Sequence, residues 1–187
     1  MSEKYKFPDK ITESQFIKYI DESEIQGLVG SLGHTISEKY RGQELIIICV
    51  LKGAFVFLAD LVREIKDVKV YIDFIKVEAV GRDHESEGTI RISKDFSTNI
   101  LDKNVLLVEE IVDSGRALYF LKERIMLSKP KSLEVVSLFD KPYKRAVPTR
   151  LEHIGKKIDD QFIVGYGLDL EEYGRNFEHI YFLKYPN

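Results

Sequence analysis

Apolar runs of strand length recur along the chain. The first covers residues 44–51 and is a nearly continuous stretch rich in isoleucine. Such runs are typical of strands that helices cover on both faces in a parallel sheet. By the same pattern, strands are predicted at residues 68–77, 89–92, 104–110, 133–139, 162–165 and 179–183. The polar segment between the second and third of these, residues 78–88, is predicted to be a mobile loop.

Segments between these strands show the apolar spacing of amphipathic helices. The predicted helices cover residues 23–36, 54–65 and 116–127. Ser23 followed by Gln26 indicates a capping box at the start of the first helix. Glycines recur inside this helix at Gly27, Gly30 and Gly33. A nucleotide-binding glycine motif needs a preceding strand and a turn, so close helix packing is the better interpretation.

The alternation of strands and helices predicts an α/β fold, with a parallel sheet flanked by helices and right-handed connections. A chain of 187 residues is long enough for one domain with a small appended lobe. Ligands of such sheets bind beyond the carboxyl ends of the strands. The candidate site therefore comprises residues 51–53, 109–117, 140–141 and 162–169.

Composition narrows the class of protein. Hydrophobic residues make up 44% and charged residues 32% of the chain, the balance of a soluble globular protein. The formal net charge of -3, without a basic stripe, argues against nucleic-acid binding. The single cysteine, Cys49, is expected in the core, and the four histidines lack metal-ligand spacing. A polar start and short apolar runs predict a cytoplasmic protein with no membrane association.

The segment richest in chemistry is the strand and turn at residues 105–117. The strand ends in two carboxylates, Glu109 and Glu110, and the turn that follows contains Asp113, Ser114 and Gly115. The start of a helix offers free N–H groups and a positive dipole end to a phosphate. Carboxylates suit ribose hydroxyls and Mg²⁺. The segment therefore predicts a sugar-phosphate site, with an ordinary strand-to-helix turn capped by an acidic or hydroxyl side chain as the alternative.

Several segments together resemble one known family. Residues 109–117 resemble the phosphoribosyl pyrophosphate signature of type I phosphoribosyltransferases. Residues 51–54 resemble the pyrophosphate loop of hypoxanthine–guanine phosphoribosyltransferases, and residues 139–142 resemble their purine-reading lysine segment. Residues 162–169, followed by 173–176, resemble the base-binding stretch of that family. All of them occur in the order of the family, which makes the set far more specific than any single motif.

The resemblance implies a type I phosphoribosyltransferase fold in a single domain, residues 1–187. Its small hood lobe would be formed from N-terminal residues and about 150–187. The implied reaction transfers the phosphoribosyl group from phosphoribosyl pyrophosphate to N9 of hypoxanthine or guanine. The products would be the purine nucleoside monophosphate and pyrophosphate, and the implied assembly is a homodimer or homotetramer. A xanthine-preferring enzyme and a non-catalytic nucleotide-sensing regulator on the same fold are the alternatives.

The resemblance also implies roles for individual residues. Asp113 would be the general acid/base at purine N7, and Lys141 would donate to O6. Adenine has an amino group in place of O6, and a lysine cannot accept a hydrogen bond from it. Glu109, Glu110 and Asp169 would contact Mg²⁺, the first two also meeting the ribose. The remaining implied substrate contacts are Leu51, Lys52, Gly53, Ser114, Gly115, Arg116, Ala117, Phe162, Ile163 and Arg175. Because adjacent strand residues point to opposite faces, Glu110 could instead face solvent.

The sequence departs from the pattern of the family in four places. Glu110 stands where the family usually has aspartate, and Ser114 and Ala117 stand where threonines are usual. Residues 78–81 read Glu-Ala-Val-Gly, whereas the mobile loop of the family usually carries a Ser-Tyr pair. The family also often has a cis peptide bond between the residues matching Leu51 and Lys52.

Overall fold

The computed structural model describes residues 16–80 and 89–183. Within them the helices are α1 (Glu22–Tyr40), α2 (Phe55–Glu64) and α3 (Arg116–Met126). The first strands are β1 (Phe16–Ile20), β2 (Glu44–Leu51), β3 (Lys69–Val80), β4 (Thr89–Lys94) and β5 (Asn104–Val112). The later strands are β6 (Ser132–Asp140), β7 (His153–Lys157), β8 (Ile163–Val164) and β9 (Ile180–Leu183).

The main sheet has six strands in the order β4-β3-β2-β5-β6-β7. All neighbours pair in parallel except β3 and β4, which pair antiparallel. Alternate residues of β2 divide between two cores: Ile47 and Cys49 pack with α1 and α2, whereas Ile48 packs with α3. The predicted α/β fold with a helix-covered parallel sheet is therefore confirmed, and Cys49 is a buried core residue as expected.

A second sheet has three strands in the order β1-β9-β8, paired antiparallel. It joins an N-terminal strand to strands near the end of the described chain. Strand β1 was not among the predicted strands, and neither was β7. Because β7 pairs with β6, residues 153–157 belong to the main sheet. These residues lie inside the range of about 150–187 that was expected to form the hood lobe.

The start of α1 differs from the predicted capping box. The helix begins at Glu22, so Ser23 lies inside it, and the flanking Asp21 makes no side-chain capping hydrogen bond. The Glu22 N–H instead donates to Nδ1 of His179 at 2.9 Å. A residue distant in sequence thus satisfies a helix-terminal donor, which no local pattern reveals.

Close packing of α1 is confirmed at one of its glycines. A Cβ atom on Gly33 would lie 2.4 Å from Cβ of Glu64 in α2, whereas Gly27 and Gly30 have open space around them. The first residues of the predicted loop at 78–88 instead belong to β3, which runs to Val80. Residues 81–88 lie outside the described residues. Among the described helices, none is long and apolar enough to span a membrane.

Asp73 anchors the segment that follows β4 to the main sheet. This buried carboxylate accepts hydrogen bonds from the N–H groups of Phe74, Ser97 and Thr98 at 2.7–2.8 Å. The hydroxyls of Ser97 and Thr98 donate to the same carboxylate at 3.2 and 2.9 Å. Burial opposes ionisation, but these donors together outweigh it and lower the pKa of Asp73.

We expect Asp73→Asn to lower the free energy of unfolding by about 1–3 kcal/mol, because it weakens bonds to a buried charged acceptor. A carboxylate whose pKa is lowered by folding stabilises above its unfolded pKa of about 3.9 and loses that effect as pH falls below it. Urea unfolding of both proteins at pH 7 should therefore show the full difference, which should shrink below about pH 4. The exposed Asp102 provides the matched control, and equal losses in Asp102→Asn and Asp73→Asn would contradict the assignment.

Candidate active site

The four predicted segments meet at the carboxyl ends of β2, β5 and β6. A Cβ atom on Gly53 would lie 1.9 Å from Oε1 of Glu110, and one on Gly167 would lie 2.0 Å from the Gly53 carbonyl oxygen. The Lys141 N–H donates to the Val112 carbonyl at 3.0 Å. These contacts join the ends of the strands to the 162–169 segment. Glycine at position 167 is required by the close approach of the Gly53 backbone and by its φ of +100°.

The two adjacent glutamates of β5 face opposite sides of the sheet. Glu109 is buried and lines a cavity of about 190 Å³ beside α3. The turn residues Asp113, Ser114, Gly115 and Ala117 line the same cavity. Glu110 lies on the other face against Gly53 and is half-buried there. Because residue 53 is a glycine, there is room beside it for the side chain of Glu110, which is longer than the usual aspartate.

Both carboxyl groups are shifted toward the neutral form. Burial, followed by the charge of Glu110, raises the pKa of Glu109 well above its ordinary value. Burial raises the pKa of Glu110 to about 7, against the opposing attraction of Arg175. A positive charge brought near this pair would favour its ionised form. The pair is therefore suited to respond to a cationic centre in a bound ligand.

The turn after β5 leaves the start of α3 open to a ligand. Gly115 occupies the capping position with a φ of +80°, and it has no side chain to compete for the helix N–H groups. The Ser114 hydroxyl accepts from the Arg116 N–H at a long 3.4 Å. Thr149 packs on Gly115, where an added Cβ would lie 2.9 Å from its hydroxyl oxygen. This arrangement favours an anion site over the alternative of a side-chain-capped turn.

A cluster of two lysines and two aspartates lies beside that turn. Lys141 is buried and its Nζ donates to the Gln161 carbonyl at 2.7 Å. The same Nζ lies 3.7 Å from Oδ1 of the exposed Asp113. Phe162, which follows Gln161, leaves 45% of its surface exposed. The cluster thus combines a cationic donor with a carboxylate, and its bond to Gln161 connects it to the residue before the exposed Phe162.

Lys144 and Asp160 complete this cluster, and the sequence did not single them out. Lys144 lies 2.6 Å from Asp160 and 3.8 Å from Asp113. The hydrogen bond with Asp160 raises the pKa of Lys144. The signal for Lys144 was its place three residues after Lys141, on the 3₁₀ turn Pro142–Lys144. Asp160 had no comparable signal, because its pairing depends on where a loop folds back.

A second set of charges lies at the end of β2. The Leu51–Lys52 peptide bond is cis, as in the family that the sequence resembles. Lys52 Nζ lies 2.9 Å from Glu172, and Arg175 Nη2 lies 3.2 Å from the same carboxylate and 2.8 Å from Asp169. Lys52 and Arg175 therefore form a cation pair that the Glu172 carboxylate bridges. Glu172 was not predicted as a site residue.

The remaining predicted residues lie around these two charge clusters. Leu51 is half-buried at the end of β2, and Ile163 is buried in β8. Arg116 is exposed at the first position of α3.

The carboxylates fit Mg²⁺ only as partners to ligand oxygens. Within residues 16–80 and 89–183, no group of three acidic, histidine or cysteine side chains could hold a metal ion. Asp169 offers hard oxygen atoms, but one faces Arg175 at 2.8 Å and the other accepts the Glu172 N–H at 2.8 Å. Mg²⁺ commonly takes one or two protein carboxylates and completes its shell with phosphates and water. The donor set fits such a shared ion.

Comparison with known proteins agrees with this geometry. The family described as the phosphoribosyl transferase domain matches residues 21–171. The chain therefore belongs to the phosphoribosyl transferase family, and the family membership predicted from the motifs is confirmed.

Individual relatives define the branch of the family more closely. The chain is 38% identical over 165 residues to a hypoxanthine-guanine phosphoribosyltransferase of Staphylococcus aureus, covering 88% of this chain and 92% of that protein. A crystal structure of a hypoxanthine-guanine phosphoribosyltransferase from Bacillus anthracis matches with a TM-score of 0.85 and 43% identity, covering 90% and 98% of the two chains. A hypoxanthine phosphoribosyltransferase structure from Staphylococcus aureus matches with a TM-score of 0.87 and 36% identity, covering 93% and 96%.

Proposed function

We propose that this protein is a purine-salvage enzyme that transfers the phosphoribosyl group from phosphoribosyl pyrophosphate to N9 of hypoxanthine or guanine. The observation that carries the proposal is the placement of Lys141 Nζ 3.7 Å from Asp113 Oδ1 and 2.7 Å from the carbonyl of Gln161, the residue before the exposed Phe162. A 6-oxopurine presents O6 and N7 side by side on one edge. Lys141 would donate to O6, and Asp113 would exchange a proton at N7.

The ribose phosphate would occupy the cavity at the start of α3. The backbone N–H groups of residues 114–117 would hold the 5′-phosphate, supported by the helix dipole. Phosphoribosyl transfer builds positive charge on the ribose ring. Glu109 and Glu110, whose burial raises their pKa values, would stabilise that charge while accepting from ribose hydroxyls.

The departing pyrophosphate would bind at the carboxyl end of β2. Lys52 and Arg175 supply two cations there, and the Arg175 guanidinium fork matches phosphate oxygens. Asp169, with Glu109 and Glu110 at the ribose, would supply the protein oxygens for Mg²⁺. Bound Mg²⁺ would neutralise charge on the leaving pyrophosphate.

The proposal extends to the architecture and setting of the enzyme. The antiparallel sheet β1-β9-β8 would be the hood of a single phosphoribosyltransferase domain, placing Phe162 and Ile163 against the purine. We include a homodimer or homotetramer and a cytoplasmic location in the proposal. The lone cysteine, which is buried, is compatible with a reducing compartment.

Parallel assays of pyrophosphate release with hypoxanthine, guanine, xanthine and adenine test this proposal. With phosphoribosyl pyrophosphate and Mg²⁺ present, we expect release with hypoxanthine and guanine and none with adenine. Dominant release with xanthine would identify the xanthine-preferring alternative. No release with any base, together with tight nucleotide binding, would identify a regulator. Soaking crystals with a purine nucleoside monophosphate checks the site directly, because density away from residues 109–117 would overturn the proposal.

A further inference from the structure

Glu172 sits in a backbone turn that disfavours its residue type. Leu170 and Tyr173 exchange both backbone hydrogen bonds at 2.9 Å, which closes a two-residue turn. The two turn residues, Glu171 and Glu172, have φ values of +50° and +69°. A two-residue turn with two positive φ angles strongly prefers Asn-Gly. Unfavourable backbone conformations of this kind often mark functional positions.

The turn directs the Glu172 carboxylate to the two cations proposed for pyrophosphate. It lies 2.9 Å from Lys52 Nζ and 3.2 Å from Arg175 Nη2. The Glu172 N–H donates to Asp169 at 2.8 Å, which fixes the turn beside these cations. Hydrogen bonds from Lys52 and then Arg175 lower the pKa of Glu172, so its carboxylate is ionised near neutral pH.

We propose that Glu172 is an internal anion that occupies the Lys52–Arg175 cation pair until a pyrophosphate group displaces it. This inference rests on the proposed function, because it assigns those two cations to the pyrophosphate. Two ion pairs must break before phosphate oxygens can take their place. Glu172 therefore weakens binding of the pyrophosphate moiety and eases its departure after transfer. Glu171, its neighbour in the turn, is exposed and makes the natural control.

The test compares Glu172→Gln with Glu171→Gln, which removes an equal charge one residue away. Isothermal titration calorimetry of pyrophosphate with Mg²⁺ into the full-length protein gives the dissociation constant. We expect Glu172→Gln to bind about 2- to 10-fold more tightly, since exposed ion pairs contribute modestly. Glu171→Gln should bind within about twofold of wild type. Thermal unfolding of the three proteins shows whether either change disturbs the fold.

Each outcome decides one question. A lower dissociation constant for Glu172→Gln alone, with unchanged unfolding temperature, supports the inference. Equal tightening in both variants would reduce the effect to general electrostatics and overturn it, as would equal affinity in all three proteins. Absence of pyrophosphate binding in all three would instead contradict the proposed pyrophosphate site itself. Glu172→Asp, which shortens the side chain but keeps its charge, should bind between wild type and Glu172→Gln.

Discussion

Replacing Asp113 with asparagine is expected to lower kcat by about 10²- to 10⁴-fold, the usual contribution of a general acid or base. The amide keeps the size of the side chain but cannot take up and return a proton at purine N7. The backbone carbonyl of Asp113 accepts from Arg145 at 3.0 Å, so the turn should keep its shape. The KM for phosphoribosyl pyrophosphate should therefore stay near that of wild type.

Steady-state kinetics with hypoxanthine at saturating phosphoribosyl pyrophosphate measure this effect. Asp159→Asn is the matched control, because Asp159 is an exposed aspartate on the loop that carries Gln161. It should leave both constants nearly unchanged. An unaltered kcat in Asp113→Asn would remove Asp113 from the chemistry, and a large rise in KM alone would make it a binding residue.

The main sheet and its helices could be predicted because each is specified locally. The isoleucine-rich run of β2 is buried on both faces, and apolar spacing marks the helices. Strand β7 was not predicted, because its sequence, His-Ile-Gly-Lys-Lys, is short and largely polar. Its position depends on pairing with β6, and His153 is buried beside Glu134 at 2.8 Å. Strand β1 likewise depends on a partner, β9, at the far end of the chain.

The candidate site likewise has residues that the sequence identifies and residues that it does not. Residues carried by motifs at strand ends, such as Glu109, Asp113 and Lys141, could be identified because parallel strands bring their ends to one edge. The charge partners could not, because Lys144, Asp160 and Glu172 become neighbours of the site only when loops fold back. Alternation along β5 correctly separated the two glutamates. It could not show that Glu110 would lie against Gly53.

Replacing Lys141 with glutamine is expected to lower kcat/KM for hypoxanthine by about 10- to 100-fold. A hydrogen bond from a charged donor contributes about 1.5–3 kcal/mol, and each 1.36 kcal/mol corresponds to a factor of ten. Lys141 is buried and its Nζ lies 2.7 Å from the Gln161 carbonyl, so the ammonium is fixed in place. A neutral amide can still donate at this position, but it loses the charge.

The same substitution should also change base selectivity, which separates recognition from a general loss of structure. A lysine only donates, whereas a glutamine both donates and accepts, so it can pair with the amino group of adenine as well as with a carbonyl. The ratio of kcat/KM for adenine to that for hypoxanthine should therefore rise in Lys141→Gln. The exposed Lys157, on β7, supplies the control substitution Lys157→Gln, which should keep the wild-type ratio. A loss of activity in Lys141→Gln with an unchanged ratio would mean that Lys141 supports the fold of the site and does not read the purine.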